Sequence, residues 1–141
     1  LEIECRAMAG PERYDAFSLM RRFRSDEAAL GDALTLFVER EDYGFVWLAY
    51  AGSTCVGCVS VGYGIGTAAG GLIATLDDLY VLPDGRRRGI ATTLLDDLHV
   101  RLDALDVRRI DIAAPADPAL QAFLHSRGYS SAGDVRFTFG G

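Results

Sequence analysis

Lysine and asparagine are missing from this 141-residue chain, and all 14 of its Lys+Arg positions are arginine. Both missing residues have A-rich codons, so the bias reads as a GC-rich coding sequence. Its chemical consequences are nonetheless firm. Without lysine there is no Walker-type phosphate loop, which needs that ammonium on the β/γ-phosphates, and no lysine Schiff base. Cysteine is scarce. Cys5, Cys55 and Cys58 do not make a disulfide framework, and a cytoplasmic location is expected. Cys55 and Cys58 form a C-x-x-C, but within a strand pattern that would set them on opposite faces. No second pair completes a zinc site, so no metal is expected. No apolar run reaches the roughly 18 residues that span a bilayer, and no charged segment followed by an apolar one opens the chain. A membrane partner is therefore not expected. Basic residues are outnumbered, and the net charge of −6 argues against a nucleic-acid partner, which calls for a basic face. It is compatible with a cationic substrate.

What remains is an ordinary globular balance, 50% hydrophobic and 24% charged. The length fits one domain over residues 1–141. Residues 1–6 read as a short strand, and Pro11 suits the first turn of a helix carrying Ala16, Leu19, Met20 and Phe23. Ser25 is placed to cap a second helix with Leu30, Leu34 and Phe37 on its apolar face, and Gly44 is placed to break the chain after it. Strands are expected over 45–51, 54–65 and 72–82, with a two-residue Gly52-Ser53 turn and a small-residue loop at 66–71. A long helix over about 88–105 repeats Ile90, Leu94, Leu98, Leu102 and Leu105 at helical spacing. A buried strand follows at 109–113. Asp117 and Pro118 are the N-cap and first residue of a short helix, and residues 129–139 are expected to form a final strand pair around Gly133-Asp134. The order β-α-α-β-β-β-α-β-α-β-β gives an α/β fold with a mixed, mostly antiparallel sheet and helices on both faces.

The most informative stretch runs from Leu76 to Ala91. An apolar strand carries Asp77 and Asp78, a Pro83-Asp84-Gly85 turn follows, and Arg86-Arg87-Arg88-Gly89-Ile90-Ala91 opens the long helix. Small residues at 89 and 91 let a pyrophosphate approach the backbone. The free N–H groups of the first helical turn and the helix dipole can hold it, and the arginines can add charge-assisted contacts.

This strand–turn–helix resembles motif A of the GNAT superfamily of acyl-CoA N-acyltransferases. Ala119 to Leu124, ending in Arg127-Gly128-Tyr129, is similar to that family's motif B, and the element order resembles the family fold over nearly the whole chain. The resemblance implies acetyl-CoA as cosubstrate. Backbone groups of Leu79, Tyr80 and Val81 would pair with the pantetheine arm. Arg86, Arg87, Arg88, Gly89, Ile90, Ala91 and Thr92 would hold the pyrophosphate. The acetyl group would pass directly to a small-molecule amine, with a backbone N–H stabilising the oxyanion, and a homodimer is possible.

The amine must attack in its neutral form, so a base is needed. Asp77 and Asp78 are the candidates, on opposite faces of a regular strand. The helix pair at 11–39 and the 66–71 loop are expected to shape the acceptor pocket, with Glu41 and Asp42 as further acids near it. One departure stands out. Where the family often has a Tyr that protonates the departing thiolate, this chain has Leu124, which has no proton to give. That leaves the proton to water, to another side chain such as Tyr80, or to no specific residue. It also leaves two other readings open: an acyl-CoA-binding module without turnover, and a protein or peptide acceptor. His99 and His125 read as surface or hydrogen-bonded histidines.

Overall fold

The computed structural model describes residues 2–86 and 88–141. Strand β1 (Glu4–Ala7) leads to a 3₁₀ turn (Gly10–Glu12) with Pro11 in its opening, then to helices α1 (Arg13–Met20) and α2 (Glu27–Glu39). Strands β2 (Gly44–Ala51), β3 (Thr54–Gly66) and β4 (Gly71–Val81) follow, then helix α3 (Ile90–Ala104), strand β5 (Arg109–Ile112) and helix α4 (Pro118–Ser126). The sheet order is β1-β2-β3-β4-β5. The first four strands pair antiparallel. β5 joins β4 in parallel, because α3 carries the chain back across the sheet as a crossover. The expected mixed, mostly antiparallel α/β sheet is therefore present.

Alternation along β2 builds two cores. Val46, Leu48 and Tyr50 pack with Ala16, Leu19, Met20, Leu30 and Leu34 of α1 and α2. Trp47 and Ala49 point the other way, to Ile90, Leu94, Leu95, Leu98 and Leu102 of α3. Each of these large α3 side chains is at most 1% exposed, and such burial contributes roughly 1.5–3 kcal/mol apiece.

Four local expectations change. Asp26, not Ser25, caps α2, its carboxylate accepting the Ala29 N–H at 3.0 Å. Gly44 does not merely break the chain but starts β2, at φ +150°, where a Cβ would collide with the Val61 carbonyl. A register shift opposite Ala49 and Tyr50 puts Cys55 and Cys58 on the same face, both in the α1/α2 core, not on opposite faces. Their thiols are pushed up by burial, Cys55 to about 11, which makes them packing groups and not nucleophiles. Finally, residues 127–141 contain no strand. Val135, Phe137 and Phe139 do alternate, but they are 75%, 92% and 104% exposed. Residues 129–136 and β5 line a common hollow of about 730 Å³, and no ladder joins them among the described residues.

Candidate functional site

The site lies where β4 parts from β5. The last paired residues are Leu76 and Ile112, so residues 77–81 present an open edge on that side among the described residues. Leu82 N–H donates to the Val56 carbonyl at 2.9 Å. In an antiparallel ladder this alternation turns the Val81 N–H and C=O outward, to the open edge. Tyr80, one residue earlier and facing Cys58, has its backbone directed to β3. Its ring lies over Phe23 with centroids 4.8 Å apart.

A bulge shapes the middle of this edge. Cys58 pairs with Tyr80 but Ser60 pairs with Asp77, so Val59 faces both Asp78 and Leu79, one extra residue in β4. Asp78 sits at φ +59°, a left-handed conformation costing on the order of 1–2 kcal/mol for a residue with a Cβ. The bulge corrects the expectation that the two carboxylates face opposite ways. Both lie beside Arg24, which extends from the end of α1, where its N–H donates to the Met20 carbonyl at 2.9 Å.

The two acids are nevertheless unlike. Asp78 Oδ1 accepts the Arg24 Nε–H at 2.8 Å and a second, shorter bond from Nη2. Its Oδ2 lies 2.6 Å from Ser60 Oγ, whose single proton serves that nearer carboxylate over the Asp77 carbonyl at 3.1 Å. The Asp78 side chain is 17% exposed. Asp77 is 62% exposed; its Oδ1 accepts the Asp78 N–H at 2.8 Å and lies 3.6 Å from Arg24 Nη2. Its Oδ2 makes no hydrogen bond among the described residues. The bond to Asp78 raises the Arg24 guanidinium's already high pKa further. Arg24 and Ser60 are residues of the candidate site that the sequence analysis missed. Ser60 had a faint signal as a hydroxyl between Val59 and Val61; Arg24 had none, since 54 residues separate it from Asp78.

Beside these groups is a cavity of about 260 Å³ lined by Phe23, Arg24, Asp77, Asp78, Leu79, Ile112 to Pro115, and Leu120. The turn between α1 and α2 thus borders it, as expected of that helix pair. The 66–71 loop does not. It sits at the far end of β4, six residues or about 20 Å from Asp77 at strand rise. Glu41 and Asp42 are also absent from its lining, and Asp42 is paired with Arg40 at 2.7 Å.

The open edge runs into the start of α3. Gly89 is its N-cap at φ +79°, and no side chain caps the helix. The first helical bond is from Thr93 N–H to the Gly89 carbonyl at 3.0 Å, which leaves the N–H groups of Ile90, Ala91 and Thr92 without an intrahelical partner. No acidic residue occupies the first turn, so the positive end of the dipole is uncompensated. Arg86 folds back, its Nε donating to the outward Val81 carbonyl at 3.1 Å. Arg88 is exposed, and Arg87 lies outside the described residues. Leu124 is 6% exposed and belongs to the α3 core. Tyr129 Oη lies 2.6 Å from His99 Nε2; burial pushes the phenol up to about 12 and pulls the imidazole down. No group of three or more His, Cys, Asp or Glu side chains that could hold a metal occurs among the described residues. None of the described helices is long and apolar enough to cross a membrane.

Comparison with known proteins bears on this arrangement. The acetyltransferase (GNAT) domain profile matches residues 42–131. No curated protein matches in sequence. Among solved structures, an aminoglycoside acetyltransferase from an uncultured soil metagenomic sample superposes with a TM-score of 0.81 at 19% identity, covering 99% of each chain. The ribosomal-protein-alanine N-acetyltransferase of Brucella melitensis biovar Abortus 2308 gives 0.78 at 17% identity, covering 98% of each. A predicted acetyltransferase from Clostridium acetobutylicum, with acetyl-CoA, gives 0.80 at 14% identity, covering 98% of this chain and 96% of that one.

Proposed function

Because this chain belongs to the GNAT acetyltransferase family, we propose that it transfers acetyl from acetyl-CoA directly to a primary amine of a small molecule. One observation carries the reading: an open β4 edge leads straight into an uncapped helix N-terminus, with a carboxylate at the other end. An extended pantetheine arm would add to that edge through the outward groups of Val81, with Leu79 next along it. The N–H groups of Ile90, Ala91 and Thr92, which have no partner among the described residues, would receive the pyrophosphate. Gly89 leaves the approach clear, and Arg86, Arg87 and Arg88 would supply charge nearby.

The reaction then needs a neutral amine to attack the thioester carbon. A tetrahedral oxyanion forms, stabilised by a backbone N–H. The C–S bond breaks and CoA leaves as thiolate. Asp77 is the base of the two acids, taking the amine proton through water, because its Oδ2 is unengaged while both oxygens of Asp78 are held. Leu124 has no proton to give, so water or Tyr80 protonates the thiolate. The cavity's ionic groups are Arg24, Asp77 and Asp78, a net charge of about −1 if each is ionised. This favours a cationic acceptor, as does the likeness to an aminoglycoside acetyltransferase. A cytoplasmic site of action and a homodimer complete the proposal, the exposed strip of Val135, Phe137 and Phe139 offering a contact.

The second reading, acyl-CoA binding without turnover, draws on Leu124 alone. Thiol release from acetyl-CoA across a panel of small polyamines, aminoglycosides and peptide amines separates them. Release with a small amine, lost in Asp77→Asn with CoA affinity retained, is expected. Saturable CoA binding with no release for any amine would favour the binding module, and release with peptides alone would move the acceptor class.

A further inference from the structure

The Asp78 carboxylate is fully engaged, yet its backbone conformation is unfavourable. Only one other described non-glycine residue has positive φ, Asp106, and it lies in the turn after α3, where such a conformation is common. Asp78 lies inside a strand. A regular strand at this point would send its side chain to the α3 face, among the fully buried Leu94, Leu95 and Leu98, leaving a carboxylate there without a partner. The left-handed turn of the backbone instead keeps it on the side of Arg24 and Ser60, where both oxygens are satisfied. It also adds the extra residue that restores Leu79 and Val81 to the α3 core and Tyr80 to the other. A one-residue slip would exchange these faces.

We propose that Asp78 is a positioning residue rather than a proton acceptor: Arg24 and Ser60 hold its carboxylate, that anchorage keeps the backbone left-handed, and the resulting bulge sets the open edge that receives the donor. This rests on the acetyltransferase reading, but its test has a readout that does not depend on turnover. Glycine adopts positive φ without strain, asparagine tolerates it, and alanine does neither. Calorimetric CoA affinity and steady-state kcat and KM for acetyl-CoA are measured for Asp78→Gly, Asp78→Asn and Asp78→Ala.

CoA affinity and kcat/KM are expected to order Gly and Asn above Ala, with Asp78→Ala at least tenfold below Asp78→Gly and most of the difference in KM. Arg24→Ala should resemble Asp78→Ala, yet add less than threefold in the Asp78→Gly background, because Arg24 then has no carboxylate to hold. Loss of kcat in Asp78→Gly and Asp78→Asn as severe as in Asp78→Ala would overturn the proposal and make the carboxylate the base. Equal CoA affinity for Gly and Ala would overturn it too, as would full additivity of Arg24→Ala. Should Asp78→Ala not fold, the Gly and Asn variants and the Arg24 cycle still decide. A wild type that binds CoA but turns over no amine would refute the enzymatic reading, while the order of CoA affinities continued to test this one.

Discussion

Substituting Gly89 tests the donor site most directly, because stability and binding should move in opposite directions. Gly89 caps α3 at φ +79°, and an added Cβ would meet no atom of the described residues within 4 Å. Gly89→Ala therefore costs the left-handed strain, on the order of 1–2 kcal/mol, a fall in melting temperature of roughly 3–7 °C for a chain of this size. Gly89→Glu carries the same strain, but its carboxylate faces the positive end of a helix with no acid in its first turn. That returns about 0.3–1 kcal/mol, so the glutamate variant should be no less stable than the alanine one. CoA affinity should reverse the order. A carboxylate about 5 Å from one phosphate charge, at an effective dielectric of about 20, opposes binding by about 3 kcal/mol, a factor of more than 100 in Kd. Differential scanning fluorimetry and calorimetric titration with CoA at low and high salt read both quantities. Gly89→Ala is expected to weaken CoA less than tenfold, and Gly89→Glu more than a hundredfold, with the difference shrinking as salt screens it. Wild-type affinity in Gly89→Glu would refute the placement of the pyrophosphate at this helix. Equal losses in both variants would show that the backbone, not charge, was responsible.

Two further outcomes follow from the core beneath the site. Leu124 is 6% exposed and packs with the α3 leucines, so Leu124→Ala should lower unfolding free energy by about 2–4 kcal/mol in urea melts, with kcat unchanged below the transition; a fall in kcat without loss of stability would give Leu124 a part in the chemistry. Burial lowers the His99 pKa below its ordinary 6.5, so the unfolded chain binds the extra proton first and stability rises with pH there: the contribution is complete above about pH 6.5 and lost as pH falls through the folded pKa, and His99→Gln should flatten that part of a Tm-against-pH curve, with an unchanged slope refuting the assignment.

How much of this was legible beforehand depends on the range of the forces involved. The α3 stripe from Ile90 to Leu102, with Leu105 falling past the helix end and 42% exposed, the Asp117 cap of α4, and the helix that opens after the arginine run are local patterns of apolar spacing, capping and turn chemistry. The chain carries them in contiguous residues, so the fold could be read from it, and the proposed donor end rests on the same local pattern. The final strand pair could not, because Val135, Phe137 and Phe139 alternate correctly but a strand exists only once it is paired, and pairing is not a local property.

The sequence by itself determined that there is no lysine chemistry and that two acids precede a helix opened by an arginine-rich, small-residue segment; the family resemblance added that Leu124 stands where a Tyr is common. Only the tertiary structure decided where those acids lie and what holds them. Alternation along a regular strand would separate Asp77 from Asp78. The bulge joins them instead, because Arg24, 54 residues away, and Ser60 on the neighbouring strand offer the Asp78 carboxylate partners that the α3 core cannot. That long-range contact engages both oxygens of Asp78 but only one of Asp77 among the described residues, a distinction that two adjacent aspartates do not carry in sequence.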